Sequence, residues 1–249
     1  MPIIQVPYHL DEHLPELNLP AAGREPAVLT APLPDAGPWQ RLAALYRPVA
    51  EAVRAVAADG QRPEVISGDC TVSLGVLAGL QAAGIDAGVV WFDAHGDVQT
   101  LETTTTGYIG GMPLRILSGY RPELIAEPIG LRAILQDRLL LVDARDLDPA
   151  EIDFLTGSDI RRSTVDDINA DSLPAGPLVL HIDLDVIDPE ELSGMRVPAP
   201  GGPSAAAVLA AARRVLDSGR VCALDLACTW LPGNDHNELR TEVISGLLA

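Results

Sequence analysis

Runs of apolar, β-branched residues alternate along this chain with Ala- and Leu-rich stretches at helical spacing, and this alternation limits the possible folds more than any other feature. Glu64 to Ser67, Gly88 to Phe92, Arg138 to Asp143, Pro177 to Ile182 and Val221 to Ala227 read as strands. Trp39 to Ala58, Thr71 to Ala83, Ser204 to Leu216 and a last stretch from Leu239 read as helices, with shorter ones near Met112 to Leu117 and Pro149 to Leu155. Strands interleaved with helices signal parallel βαβ units, so the expected class is α/β with a mostly parallel sheet. The Pro- and Gly-rich stretches Ala31 to Pro38 and Val197 to Pro203 join elements without separating domains, so residues 1–249 are expected to form a single domain.

The formal charge of −18 argues against nucleic acid and anionic membrane surfaces as partners, because both attract basic patches. It suits a cationic small molecule or a metal, although an acidic surface also serves solubility. No apolar run approaches the roughly 20 residues needed to span a bilayer, and Met1 to Leu10 lacks the basic, apolar and small-residue series of a leader. A cytoplasmic location is the expectation. Lysine is absent, which excludes Schiff-base chemistry and the lysine-bearing phosphate loop. Cys70, Cys222 and Cys228 do not form a disulfide framework. On one strand Cys222 and Cys228 would stand about 20 Å apart, beyond bonding reach.

Ligands of open parallel sheets bind beyond the carboxyl ends of the strands. Three predicted strands run into polar segments there: Asp93 to Asp97, Asp183 to Asp188, and Asp225 to Cys228. A fourth, ending near Ser67, is followed by Gly68-Asp69-Cys70. Carboxylates gathered at one sheet edge repel, and a divalent cation relieves that repulsion. On extended backbone Asp93, His95 and Asp97 share one side, and Asp183 and Asp185 repeat the spacing on a second strand. Oxygen-rich ligands with one imidazole suit Mn²⁺, Mg²⁺ or Fe²⁺ better than a structural Zn²⁺. Asp188-Pro189-Glu190 looks like a helix start.

The order G-D-C, D-A-H-G-D and H-I-D-L-D-V-I-D-P resembles the signatures of the ureohydrolases, which include arginase, agmatinase, guanidinobutyrase and formiminoglutamase. Asp97 to Pro113 is similar to the family's substrate loop. The resemblance is strong over Val65 to Pro113 and Leu178 to Pro189 and faint over Leu224 to Trp230, and the first 60 residues show only a generic start. It implies a three-layer αβα sandwich holding two manganese ions, with a bridging hydroxide that attacks an amidine or guanidine carbon. Asp93 and Asp183 would bridge the ions, Cys70 and Asp97 would complete one, and His95 with Asp185 the other. Asp97 would also hold the nucleophile. Family members often form trimers or hexamers, which leaves a homo-oligomer open.

Four departures bear on the substrate. Cys70 stands where the family has His, although a thiolate at a helix N-terminus can still ligate. Gly110 replaces a His thought to shuttle protons. Gln99, Thr106 and Tyr108 occupy the positions that grip the substrate's amino-acid head in arginases. Cys228 stands near the place of a guanidinium-binding Glu. The Cys, the His before I-D-L-D and T-T-G-Y-I-G-G-M partly resemble hydroxyarginine amidinohydrolases. His181 shares a strand face with Asp183 and Asp185, so it and Asp225 are expected to support the ligands from behind. The expected activity is metal-dependent hydrolysis of a C–N bond in a small amidine, N-hydroxyguanidine or formimino compound. The alternatives are a single-metal deacetylase and a non-catalytic binding protein.

Overall fold

The computed structural model describes residues 3–231, 233 and 238–248. The N-terminal stretch forms β1 (Ile3–Val6), a small hairpin of β2 (Tyr8–His9) and β3 (Glu12–His13), and β4 (Pro26–Val28). There follow α1 (Pro38–Ala58), β5 (Glu64–Ser67), α2 (Ser73–Ala82), β6 (Gly88–His95), α3 (Pro113–Leu117) and α4 (Ala126–Ile129). The second half comprises β7 (Leu139–Asp146), α5 (Pro149–Thr156), β8 (Arg161–Ser163), β9 (Leu178–Asp183), α6 (Ala205–Leu216), β10 (Val221–Ala227) and α7 (Glu238–Leu248).

Eight strands form one sheet in the order β4-β1-β5-β10-β9-β6-β7-β8, and every pairing in it is parallel. Side chains alternate across the pleat, so each central strand feeds two cores. Val65, Val89, Trp91, Leu141 and Val179 face α1 and α2, where Leu42, Leu45, Tyr46, Val49 and Leu77 meet them. Ile66, Val90, Phe92, Leu180, Ile182 and Leu226 face α6 and α7, against Val208, Val215, Val243 and Leu247. The expected three-layer αβα sandwich is therefore the observed one.

The structure corrects three details of the sequence expectation. β6 does not stop at Phe92 but continues through His95, so Asp93 to His95 still belong to the sheet. Asp97 lies past the strand with a left-handed backbone, φ 56°, and so is not part of an extended run with Asp93 and His95. Asp188 starts no helix: its carboxylate accepts from the Glu190 and Gly202 amides and closes a turn. No strand was read before Glu64, and β1 pairs with both β4 and β5 and so extends the sheet.

α1 and α2 pack closely because α2 carries glycines where it crosses α1. A Cβ on Gly79 would lie 2.5 Å from the Ala50 carbonyl oxygen and 2.8 Å from Val53 Cβ. Gly to Ala inside a helix ordinarily gains about 1 kcal/mol, whereas forced overpacking costs about 1–3 kcal/mol. Backbone on the far side cannot rotate away, so the clash wins. Gly79→Ala is expected to lower the thermal unfolding midpoint, and a scan showing an unchanged or raised midpoint would contradict this packing.

Candidate metal centre

β5, β10, β9 and β6 are neighbours, and their carboxyl ends open into a cavity of about 180 Å³. Cys70, Asp93, His95, Asp97, Asp183 and Asp185 all line it. After β5, the Asp69 carboxylate accepts from the Thr71 amide at 2.8 Å and starts a tight turn. That turn sets Cys70 Sγ 2.7 Å from Asp183 Oδ2 and 3.9 Å from Asp93 Oδ2. Burial pushes the Cys70 thiol well up, and Asp183 and Asp93 push it further. The expected lowering by a helix N-terminus is thus outweighed by desolvation and neighbouring carboxylates.

At the end of β6 the Asp93 carboxylate accepts from Trp91 Nε1 at 3.2 Å and from the His95 amide at 2.7 Å. His95 Nδ1 lies 3.2 Å from both Asp93 Oδ1 and Asp185 Oδ2. Burial opposes charge on His95, but its hydrogen bonds to Asp185 and Asp93 prevail and raise it to about 12. Burial likewise opposes charge on Asp93, yet the His95 hydrogen bond and charge hold that carboxyl below its usual value.

Gly96 permits the turn to Asp97, since a Cβ there would stand 2.7 Å from both Glu151 Oε1 and Leu147 Cδ2. Burial and then Asp93 push Asp97 well up. Asp183 rises through burial, Asp185 and Asp93, while burial and Asp93 take Asp185 to about 6. Asp183 Oδ1 accepts from the Asp185 amide at 2.9 Å and from Thr229 Oγ1 at 2.8 Å.

Two ligand triads emerge. Asp93, His95 and Asp185 bring three donor atoms within 4.8 Å of one another, and so do Cys70, Asp93 and His181. Asp93 belongs to both. Asp97 Oδ2 is buried without a hydrogen-bond partner among the described residues. Closely packed carboxylates, an unpaired oxygen and a shared aspartate suit divalent cations, which prefer oxygen with some imidazole.

Comparison with known proteins agrees with this geometry. The Arginase family model matches residues 9–248. The chain belongs to the arginase family. It is 33% identical to the arginase of Bacillus subtilis (strain 168) over 167 residues, 62% of this chain and 56% of that one. The chain thus spans about half the length of the curated relatives it matches. The arginase of Bacillus caldovelox superposes with a TM-score of 0.82 at 25% identity, covering 99% of this chain and 96% of that one. The formimidoylglutamase of Bacillus subtilis subsp. subtilis str. 168 shares the fold, with a TM-score of 0.70 at 16% identity, 99% of this chain and 84% of that one.

In this member of the arginase family Gln99, Thr106, Tyr108 and Gly110 line the same cavity. Gln99 Nε2 donates to Asp148 Oδ2 at 2.7 Å. Gly110 adds no polar group; it makes room, because a Cβ there would collide with the Tyr108 ring. Tyr108 Oη sits 3.3 Å from His9 Nε2, and His9 Nδ1 sits 3.1 Å from Asp69 Oδ2.

Cys228 requires a correction. It is fully buried and belongs to the core beneath α6 and α7, and it does not line the cavity. Along β10, Asp225 and Ala227 point to the α1 and α2 side, so the pleat sends Cys228 the other way. Thr229 is the group presented to the cavity. Asp225 and His181 are buried and stay off the cavity wall.

Asp148, Glu151, Arg196 and Thr229 line the cavity and were not singled out in the sequence, and neither was His9 behind Tyr108. Asp148 and Glu151 form a capping box at the start of α5, and that structural explanation hides their second position. The strand-end rule applied to β7 could have found them. Arg196 and His9 sit in segments with no comparable signal.

The protonation pattern has a consequence for metal uptake. Ligation requires neutral imidazole and thiolate, whereas His95 and Cys70 both hold protons near neutral pH. Their raised values mean that cation binding expels protons and strengthens as pH rises. Calorimetric Mn²⁺ titrations in buffers of different ionisation enthalpy should reveal net proton release and weaker binding as pH falls towards 6. Proton-neutral, pH-independent binding would contradict this electrostatic picture.

Proposed function

We propose that the chain is a metal-dependent hydrolase cleaving a C–N bond in a small amidine, N-hydroxyguanidine or formimino compound, and that arginine is not its substrate. The gathering of Cys70, Asp93, His95, Asp97, Asp183 and Asp185 on one cavity wall carries this proposal. Asp93 and Asp183 would bridge two Mn²⁺ ions, with Cys70 and Asp97 on one side and His95 and Asp185 on the other. When bound, such cations lower the pKa of water towards neutrality and so supply a nucleophile.

The protein's own residues supply the remainder. Asp97, whose Oδ2 is unpaired among the described residues, would hold the attacking water in place by a hydrogen bond. The chain Asp69–His9–Tyr108 reaches the cavity and positions the Tyr108 hydroxyl at its wall as a hydrogen-bonding group for the substrate. At the end of β10, Thr229 offers a neutral hydroxyl already donated to Asp183. It cannot balance a buried guanidinium, and a buried charge missing its partner costs about 3–5 kcal/mol. Arg196 lines the same cavity with its Nε unpartnered among the described residues, so it favours a substrate bearing a carboxylate.

Metal-replete protein given a panel of such compounds should release urea, hydroxyurea, ammonia or formamide. Release of acetate from amides, or of nothing at all, would overturn the proposal. For the accepted substrate, Arg196→Ala should raise KM about tenfold or more, as expected for losing a hydrogen bond to a charged group worth about 1.5–3 kcal/mol. An unchanged KM would remove Arg196 from substrate recognition.

A further inference from the structure

Cys70 leaves the first cation site without the imidazole that ureohydrolases resemble one another in having, and an unused imidazole stands behind it. We propose that His181 Nε2 is a direct ligand of that site, alongside Cys70, Asp93, Asp97 and Asp183. This rests on the two-cation proposal above and adds a ligand to it.

His181 lies on β9 in register with Trp91 on one side and Asp225 on the other. It is 0% exposed. Its Nδ1 is fully occupied, 2.8 Å from Asp225 Oδ2 and 2.9 Å from Ser73 Oγ, and Ser73 Oγ itself donates to Asp225. Its Nε2 is buried and has no hydrogen-bond partner among the described residues. A buried polar atom left unpaired calls for a reason, and a role as a cation ligand is one. One nitrogen of His181, Cys70 sulfur and an Asp93 oxygen lie within 4.8 Å of one another. With Nδ1 committed, Nε2 is the nitrogen able to serve.

The surroundings hold the ring in that pose. Trp91 stacks on His181 with ring centroids 3.7 Å apart, and the same indole donates to Asp93 Oδ2 at 3.2 Å. Ring and carboxylate are thereby positioned by one side chain. Asp225 accepting from Nδ1–H fixes the tautomer with a lone pair on Nε2, the arrangement in which a carboxylate behind a histidine strengthens it as a ligand. A merely structural histidine would need only the Nδ1 contacts. Thiolate and imidazole beside carboxylates form a softer set than Asp93, His95 and Asp185, so the first site should take Co²⁺ readily.

Apo full-length protein titrated with Co²⁺ tests this directly, followed by thiolate-to-cobalt absorption and by proton NMR of ¹⁵N-histidine-labelled protein. The loaded wild type should show two paramagnetically shifted imidazole N–H signals. The one from Nδ1 of His181, buried against Asp225, should exchange slowly with water. His181→Ala should lose that signal and keep the one from His95. Asp225→Asn should weaken Co²⁺ at the thiolate site by about 10–100-fold. A wild type with a single shifted imidazole signal but two bound ions would overturn the His181 assignment and leave the two-cation site standing. Failure to bind any cation would sink both.

Discussion

Like charges enclosed together repel, and Asp93, Asp97, Asp183 and Asp185 are each no more than 5% exposed where β6 and β9 end. One uncompensated buried charge costs several kcal/mol against a net folding stability of about 5–15 kcal/mol for a whole domain. The protein meets this cost with protons: His95 is charged between Asp93 and Asp185, Cys70 keeps its thiol against Asp183, and Asp97 and Asp183 are pushed up. Bound cations would replace those protons. The local backbone follows from that convergence. Gly96 and the left-handed Asp97 turn the chain back over the cavity, and Asp69 fixes the turn that delivers Cys70.

The parallel sheet makes this convergence possible. Strands that all run one way bring their carboxyl ends to one edge, and helices on both faces keep that edge dry. The pleat then sorts residues into roles. Trp91, His181 and Asp225 form a row across β6, β9 and β10 on the α1 and α2 side, below the cavity. Cys228, one residue past β10, falls on the opposite side and so leaves the site. A one-residue change of face therefore decides whether the end of β10 offers a carboxylate-sized partner or the hydroxyl of Thr229.

Much of this was legible in the sequence because the signals were local. The bounds of β5 and β10 match their apolar runs, and D-A-H-G-D and D-L-D mark acidic residues that do line the cavity. What was not legible depended on distant contacts. The partners of His9 and Arg196 come from segments far away in the chain, and Asp148 and Glu151 already had an adequate explanation as a helix cap. Strand β1 was missed because, unlike the equally short β5, it is not set between helical stretches. Cys228 was misplaced because β10 was read without deciding which face its last residues take.

The central claim is that Asp93 is shared by two cations. A crystal structure of the protein grown with Mn²⁺, with anomalous diffraction collected near the manganese edge, tests it most directly. Two anomalous peaks, both touching Asp93, with His95 bound to one and turned from its ion pair into a ligand, are the predicted result. A single peak, or a map without peaks in which His95 still bridges Asp93 and Asp185, would contradict it.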